Sequence, residues 1–196
     1  MKGGPSRAYR MAARAESTAA TGERILAASL ELFWERPTDQ ISLVDVAARA
    51  GVSVQTVIRR FGGKEGLFAA VAERERRRIV AQRDEAPAGD LVRAVEVLFD
   101  HYEDVGDKVL RLLEEAPRVP GLRAVVEEGR CYHRAWCARV FAPALTGRHG
   151  TDRDRRLAQL VAVCDVYVWK LLRRDAGLSR RQAQLAVVEL LEPLLE

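Results

Sequence analysis

Signals for β-strands are almost absent from this chain of 196 residues. No β-branched run alternates with polar residues, and no Asn-Gly or Asp-Gly pair marks a hairpin, which excludes an all-β architecture. Cysteine is scarce and odd in number (Cys131, Cys137 and Cys164), so a disulfide scaffold is excluded and a reducing, cytoplasmic compartment is expected. No apolar run approaches the roughly 20 residues of a membrane helix, so no membrane partner is expected. The stretch Met1–Arg14 is basic but has no apolar segment, unlike a secretory signal. Lysine supplies only 4 of the 32 basic residues, a skew that points to a GC-rich genome more than to a binding requirement.

The remaining composition is ordinary. A hydrophobic fraction of 48% and a charged fraction of 31% argue against disorder of the whole chain. The length permits one ordinary domain or two small ones. Net charge is +4, unevenly spread: residues 1–83 hold 15 Lys and Arg against 9 Asp and Glu, whereas residues 84–196 hold 17 against 19. A basic first half and a slightly acidic second half are compatible with a nucleic-acid partner for the first.

Helical spacing runs through the whole chain and predicts an all-α fold of about nine helices. Residues 1–20 have no clear apolar face and read as a flexible basic arm. A first helix is expected over Thr21–Arg36, with Thr21 as N-cap and Pro37 as its stop. A second opens at Ser42, where Ser42 and Asp45 form a near capping box, and closes at Gly51. A third, capped by Ser53, covers Val54–Phe61, and a fourth covers Lys64–Arg83. The breaker cluster Glu85–Gly89 sets a boundary between a domain at 21–84 and another at 85–196. Beyond it the pattern predicts helices over Asp90–Val105, Lys108–Ala116, Gly121–Phe141, Asp152–Asp175 and Ser179–Leu195.

Ile41–Phe61 carries the most information. Two short helices meet at Gly51-Val52-Ser53, with Ala47 small enough for a close crossing and Val52, Val57 and Phe61 facing inward. This is the helix-turn-helix pattern, whose second helix enters the major groove of DNA. The gap-free stretch from Ile41 to Val71, with Ile25, Ala28, Leu32 and Phe33 before it, resembles the N-terminal domain of the TetR family of bacterial transcriptional regulators. About 50 residues match well. The resemblance implies a three-helix DNA-binding domain joined to a helical ligand-binding and dimerisation domain. It further implies a homodimeric, ligand-responsive regulator of a palindromic operator, most simply a repressor, with no enzymatic activity and no cofactor. One departure stands out: the family usually has Leu-Tyr where this chain has Val57-Ile58, and Ile58 cannot donate the hydrogen bond that the Tyr typically gives a phosphate. Arg59-Arg60 comes next, which moves backbone affinity from a hydroxyl to guanidinium groups.

On a helical wheel Gln55 and Arg59 oppose Val57 and Phe61, with Thr56 and Arg60 adjacent. Gln pairs with adenine and Arg with guanine, while Val54 and Ile58 either meet a thymine methyl or pack in the core. The hydroxyl of Ser42, the cap Ser53 and the ammonium of Lys64 are candidates for the phosphate backbone. Lys2, Arg7, Arg10 and Arg14 either enter a minor groove or stay solvated.

The second half is expected to dimerise through its last two helices, where Leu160, Val168, Leu171, Leu185, Val188 and Leu191 are apolar beyond what one chain buries. Phe99, Tyr102, Trp136 and Tyr167 are candidates to line a pocket for a small, largely apolar effector, against plain core packing. Cys131, His133 and Cys137 make no metal site on one straight helix, since at about 100° per residue His133 sits about 200° from Cys131. No Gly-rich phosphate loop or nucleophile elbow supports an enzyme. A dimeric DNA-binding module that senses nothing is the alternative, and an all-α enzyme a remoter one.

Overall fold

Alanine, arginine, methionine and glutamate dominate Arg7–Ala20, which has neither glycine nor proline. Such residues lose little on entering a helix. In the computed structural model, which describes residues 7–119 and 121–196, this stretch is the first half of a long helix α1, Arg7–Glu35. The arm expected at 1–20 is therefore helical from Arg7 onward; want of an apolar stripe did not mean want of a helix. Lys2 lies outside the described residues, as do the side chains of Arg7, Arg10 and Arg14. Thr21 is not a cap but an interior residue, its hydroxyl donating to the Ser17 carbonyl at 2.9 Å.

Among the described residues every regular element is helical. After α1 come a 3₁₀ turn (Thr38–Gln40), α2 (Leu43–Ala50), α3 (Val54–Phe61) and α4 (Lys64–Arg83). Beyond them lie α5 (Leu91–Glu115), α6 (Leu122–Val140), the short α7 (Ala142–Leu145), α8 (Gly150–Val163), α9 (Val166–Lys170) and α10 (Arg180–Leu195). A π-helical turn, Leu171–Asp175, continues α9. Two compact units divide inside α4, one up to Arg74 and one from Glu75. The breaker at Glu85–Gly89 ends α4, but its last turns already belong to the second unit. Arg76 pairs there with Glu128 at 3.3 Å and Arg78 with Asp104 at 2.7 Å.

The first unit is built on a small apolar core. Ile25, Leu32, Ile41, Val46, Ala47, Val57 and Leu67 are buried together, drawn from α1 to α4. Helices as short as α2 and α3 are not stable alone. Arg49 ties α2 to α1 with a two-pronged hold on Glu35, both contacts at 2.8 Å, and a further contact to Glu31 at 3.3 Å.

In the second unit two expected breaks move. The helices read at Asp90–Val105 and Lys108–Ala116 are one continuous α5. Gly106 does not interrupt it; the missing side chain makes room for Trp169, whose ring atoms lie 2.6–3.0 Å from where a β-carbon would stand. Conversely, the helix read at Asp152–Asp175 breaks at Cys164-Asp165. The Cys164 carbonyl takes the buried Tyr102 hydroxyl at 3.0 Å, and Asp165 caps the new start by accepting from the Tyr167 amide at 2.9 Å. A buried phenol needs a partner, and here it finds one in a carbonyl at the end of α8. No described helix is long and apolar enough to cross a membrane.

Candidate nucleic-acid interface

Both helices of the turn are closed by side chains that the sequence places at their ends. Ser42 accepts from the Asp45 amide at 3.2 Å while the Asp45 carboxylate accepts from the Ser42 amide at 2.9 Å, a complete capping box. Gly51 adopts the left-handed conformation (φ 65°, ψ 42°) that ends α2 and turns the chain toward α3. Ser53 then caps α3, accepting from the Thr56 amide at 3.2 Å, and its hydroxyl also meets that of Thr56 at 2.9 Å.

The capping box leaves less of Ser42 than its expected phosphate role needs. Its hydroxyl donates to Asp45 at 2.6 Å, and Arg36 adds a contact to the same carboxylate at 3.2 Å. Those hydrogen bonds, Ser42 first, hold the Asp45 carboxyl down at about 2. A carboxylate whose folded value is depressed stabilises above its unfolded value of about 3.9 and ceases to do so as pH falls toward the folded one. Asp45→Asn is therefore expected to lower the melting temperature at neutral pH. The gap from wild type should close between about pH 4 and pH 2, followed by thermal unfolding in a pH series. A gap that stayed constant over that range would contradict a charged Asp45 in the capping box.

The α3 helix has a sealed inner face and an open outer one. Val57 is fully buried, whereas Gln55, Ile58, Arg59 and Arg60 are exposed and Val54 and Thr56 are half-buried. Val54 packs against the first unit's core, which weakens it as a base contact. Ile58 stands in water at 38% exposure. The two arginines differ. The guanidinium of Arg60 lies over Gly22 of α1, where any β-carbon would collide with it, and 6.0 Å from the Phe61 ring centroid. Arg59 has no ion-pair or hydrogen-bond partner among the described residues and projects freely. Lys64 is not a free cation either: its ammonium donates to the Thr38 carbonyl at 3.0 Å and sits 5.5 Å from the Phe68 ring centroid. It joins α4 to the 3₁₀ turn and keeps at most part of its donor capacity for a phosphate.

The residues assigned to a pocket and a dimer face also sort differently from expectation. Phe99, Tyr102 and Trp136 lie in the packed core of the second unit, but Tyr167 is 54% exposed and lines no interior. Leu160 and Leu191 are fully buried in that same core, so neither has surface left to offer a second chain. Val168 and Val188 are half-buried; Leu171 and Leu185 are exposed, and Leu190 and Tyr167 join them. For Tyr167, Val168 and Leu171 a wheel drawn for one straight helix over Asp152–Asp175 could not give the right face, because the break at Asp165 rotates the residues beyond it. A groove of about 490 Å³ lies along the end of α5 and the start of α6, lined by Leu113, Ala116, Val126 and Arg130 among others, and by none of the four pocket candidates. Cys131 is exposed while Cys137 and Cys164 are buried, and no group of three metal-ligating side chains comes together among the described residues.

Two short capped helices crossing at a left-handed glycine, the second with a basic and open outer face, define a helix-turn-helix reader of DNA. Residues 25–71 match the family model described as bacterial regulatory proteins, tetR family. The chain is 33% identical over 147 residues to the HTH-type transcriptional repressor Rv3405c of Mycobacterium tuberculosis, covering 65% of this chain and 77% of that one. An HTH-type transcriptional regulator of Mycobacterium bovis, Mb3439c, matches to the same extent. The chain belongs to the tetR family and is a DNA-binding transcriptional regulator. The fold is shared with a transcriptional regulator from Rhodococcus sp. RHA1 (TM-score 0.68, 22% identity, 89% of this chain and 95% of that one). It is also shared with NalD of Pseudomonas aeruginosa, the secondary repressor of the MexAB-OprM multidrug efflux pump (TM-score 0.57, 20% identity, 90% and 96%).

Proposed function

We propose that the chain is a homodimeric repressor that reads a palindromic double-stranded DNA operator and releases it when a small effector binds the second unit. The observation that carries the reading is Arg59, exposed and unpartnered among the described residues on the outer face of a helix whose inner face is sealed by Val57. Gln55, one turn earlier, is exposed as well, and together they offer the donor sets suited to guanine and adenine edges. Arg60, Thr56, Ser53 and the remaining donors of Lys64 supply backbone contacts around them. Repression is supported by the name of the M. tuberculosis relative.

Dimerisation is supported by four large apolar side chains left in water by one chain: Tyr167, Leu171, Leu185 and Leu190, each more than half exposed, on α9, its π-turn and α10. Removing such a set from water favours a self-complementary interface. A dimer binds two half-sites at once, so the second contact forms at high effective concentration. The effector acts by binding the DNA-free form more tightly than the DNA-bound form, which is the only way a ligand can move that equilibrium. The test is the double variant Leu171→Glu/Leu185→Glu. Sedimentation should show a dimer for wild type and a monomer for the variant, with helicity unchanged, and affinity for a selected palindrome should fall at least about tenfold. A variant that remains dimeric would remove this face from the proposal.

A further inference from the structure

Arg83, the last residue of α4, is 3% exposed and carries a charge that no carboxylate among the described residues balances. Its Nη2 donates to His133 Nδ1 at 3.0 Å. Because a guanidinium only donates, that nitrogen must accept, so the imidazole proton sits on Nε2, which faces the Val161 carbonyl at 3.3 Å. His133 is therefore a neutral partner. The flat face of the guanidinium lies 4.2 Å from the Trp136 ring centroid and 5.5 Å from that of Tyr132. The adjacent Asp84 is turned to Arg139 at 2.8 Å.

Three buried polar atoms of this group have no hydrogen-bond partner among the described residues: Arg83 Nε, Tyr132 Oη and His101 Nδ1; Gln82 Oε1, on the preceding residue, has none either. Burial first, and then the positive charge of Arg83, pushes the His101 imidazole down to about 3, so His101 is neutral at physiological pH. A guanidinium stays charged in any protein environment, and a buried charge without a counter-ion is costly. Proteins satisfy nearly all buried polar atoms, so three orphans beside one uncompensated cation point to a missing acceptor. An anion accepts from these donors and balances the charge at once, and the half-buried ring of Tyr132 beside them suits one with a flat apolar body.

We propose that Arg83 is the anchor of an anion site in the second unit, and that the effector is a small organic carboxylate with an aromatic or similarly flat body. This deepens the ligand-responsive reading above and rests on it only for the consequence at DNA. The carboxylate oxygens take the Arg83 Nε proton and the Tyr132 hydroxyl.

Benzoate is the probe, with benzamide as its neutral analogue of equal shape, added to the full chain. In arginine Nε–H nuclear magnetic resonance spectra the Arg83 signal, assigned with Arg83→Lys, should shift saturably with benzoate, and the melting temperature should rise. Benzamide should do neither. Arg83→Lys keeps the charge without the planar fork and should bind benzoate at least about tenfold more weakly. An equal response to benzamide, an undiminished benzoate affinity in Arg83→Lys, or no response of wild type to benzoate overturns the site. DNA affinity in the same samples separates the two claims. Benzoate bound with DNA affinity unchanged upholds the site and removes ligand response from the proposed function. Benzoate unbound with DNA binding intact removes the site and leaves the DNA reader.

Discussion

Arg59→Ala is expected to lower affinity for the palindrome by about a hundredfold, read by fluorescence anisotropy at one fixed salt concentration. A specific arginine–base contact contributes about 1–3 kcal/mol. A twofold dimer loses it twice, and about 2.8 kcal/mol in all is a hundredfold. Stability should be unchanged within about 0.5 kcal/mol, since Arg59 is exposed and touches no partner among the described residues. Arg60→Ala should cost less than about tenfold, because its guanidinium already rests on Gly22 and must leave that place to reach DNA. The pattern of loss identifies the contact. A loss confined to one base position marks base readout, whereas an equal loss on every sequence with a shallower salt dependence marks a phosphate. Wild-type affinity in Arg59→Ala would remove this residue from the interface.

Replacing Gly106 by alanine should destabilise the chain by about 2 kcal/mol, although the same change normally helps a helix. The propensity gain of about 1 kcal/mol is real in the middle of a helix. It is outweighed here because the new β-carbon would stand 2.6 Å from the Trp169 ring. That ring cannot yield easily. Trp169 is 1% exposed, its Nε1 donates to Glu103 at 3.1 Å, and the Arg174 guanidinium lies 4.4 Å from its centroid. Glu103 is itself gripped by Arg173, whose hydrogen bonds draw its carboxyl below the usual range. Gly129 in α6 is the control. It is exposed, nothing lies within 4 Å of its missing β-carbon, and alanine there should stabilise by about 1 kcal/mol. Urea denaturation of the two variants checks both signs; a stabilised Gly106→Ala would mean that Trp169 does not pack so closely on α5.

These two glycines show where a sequence stops being legible. Gly106 and Gly129 both lie inside helices, and nothing local says that one faces a tryptophan 63 residues away and the other faces water. The displaced helix ends have the same origin. Val105-Gly106-Asp107 looks like a break but is held helical by packing, and Val163-Cys164-Asp165 looks continuous but is opened by the hydroxyl of Tyr102 from another helix. At residues 7–20 the reason differs: alanine propensity makes a helix there without any amphipathic spacing to announce it.

Local chemistry did settle a good deal. Ser42 with Asp45, Gly51 and Ser53 act within three or four residues of themselves, so the turn, its caps and the inward set around Val57 come from spacing alone. The all-helical class comes equally from periodicity. Tertiary structure alone decided how each charge is spent. Lys64 is bound to Thr38, Arg60 is laid on Gly22, Arg59 is left free and Arg83 is sealed in without a carboxylate. An arginine in a sequence has a charge but no address; whether that charge is paired, solvated or stranded depends on residues brought beside it by folding, and function rests on that difference.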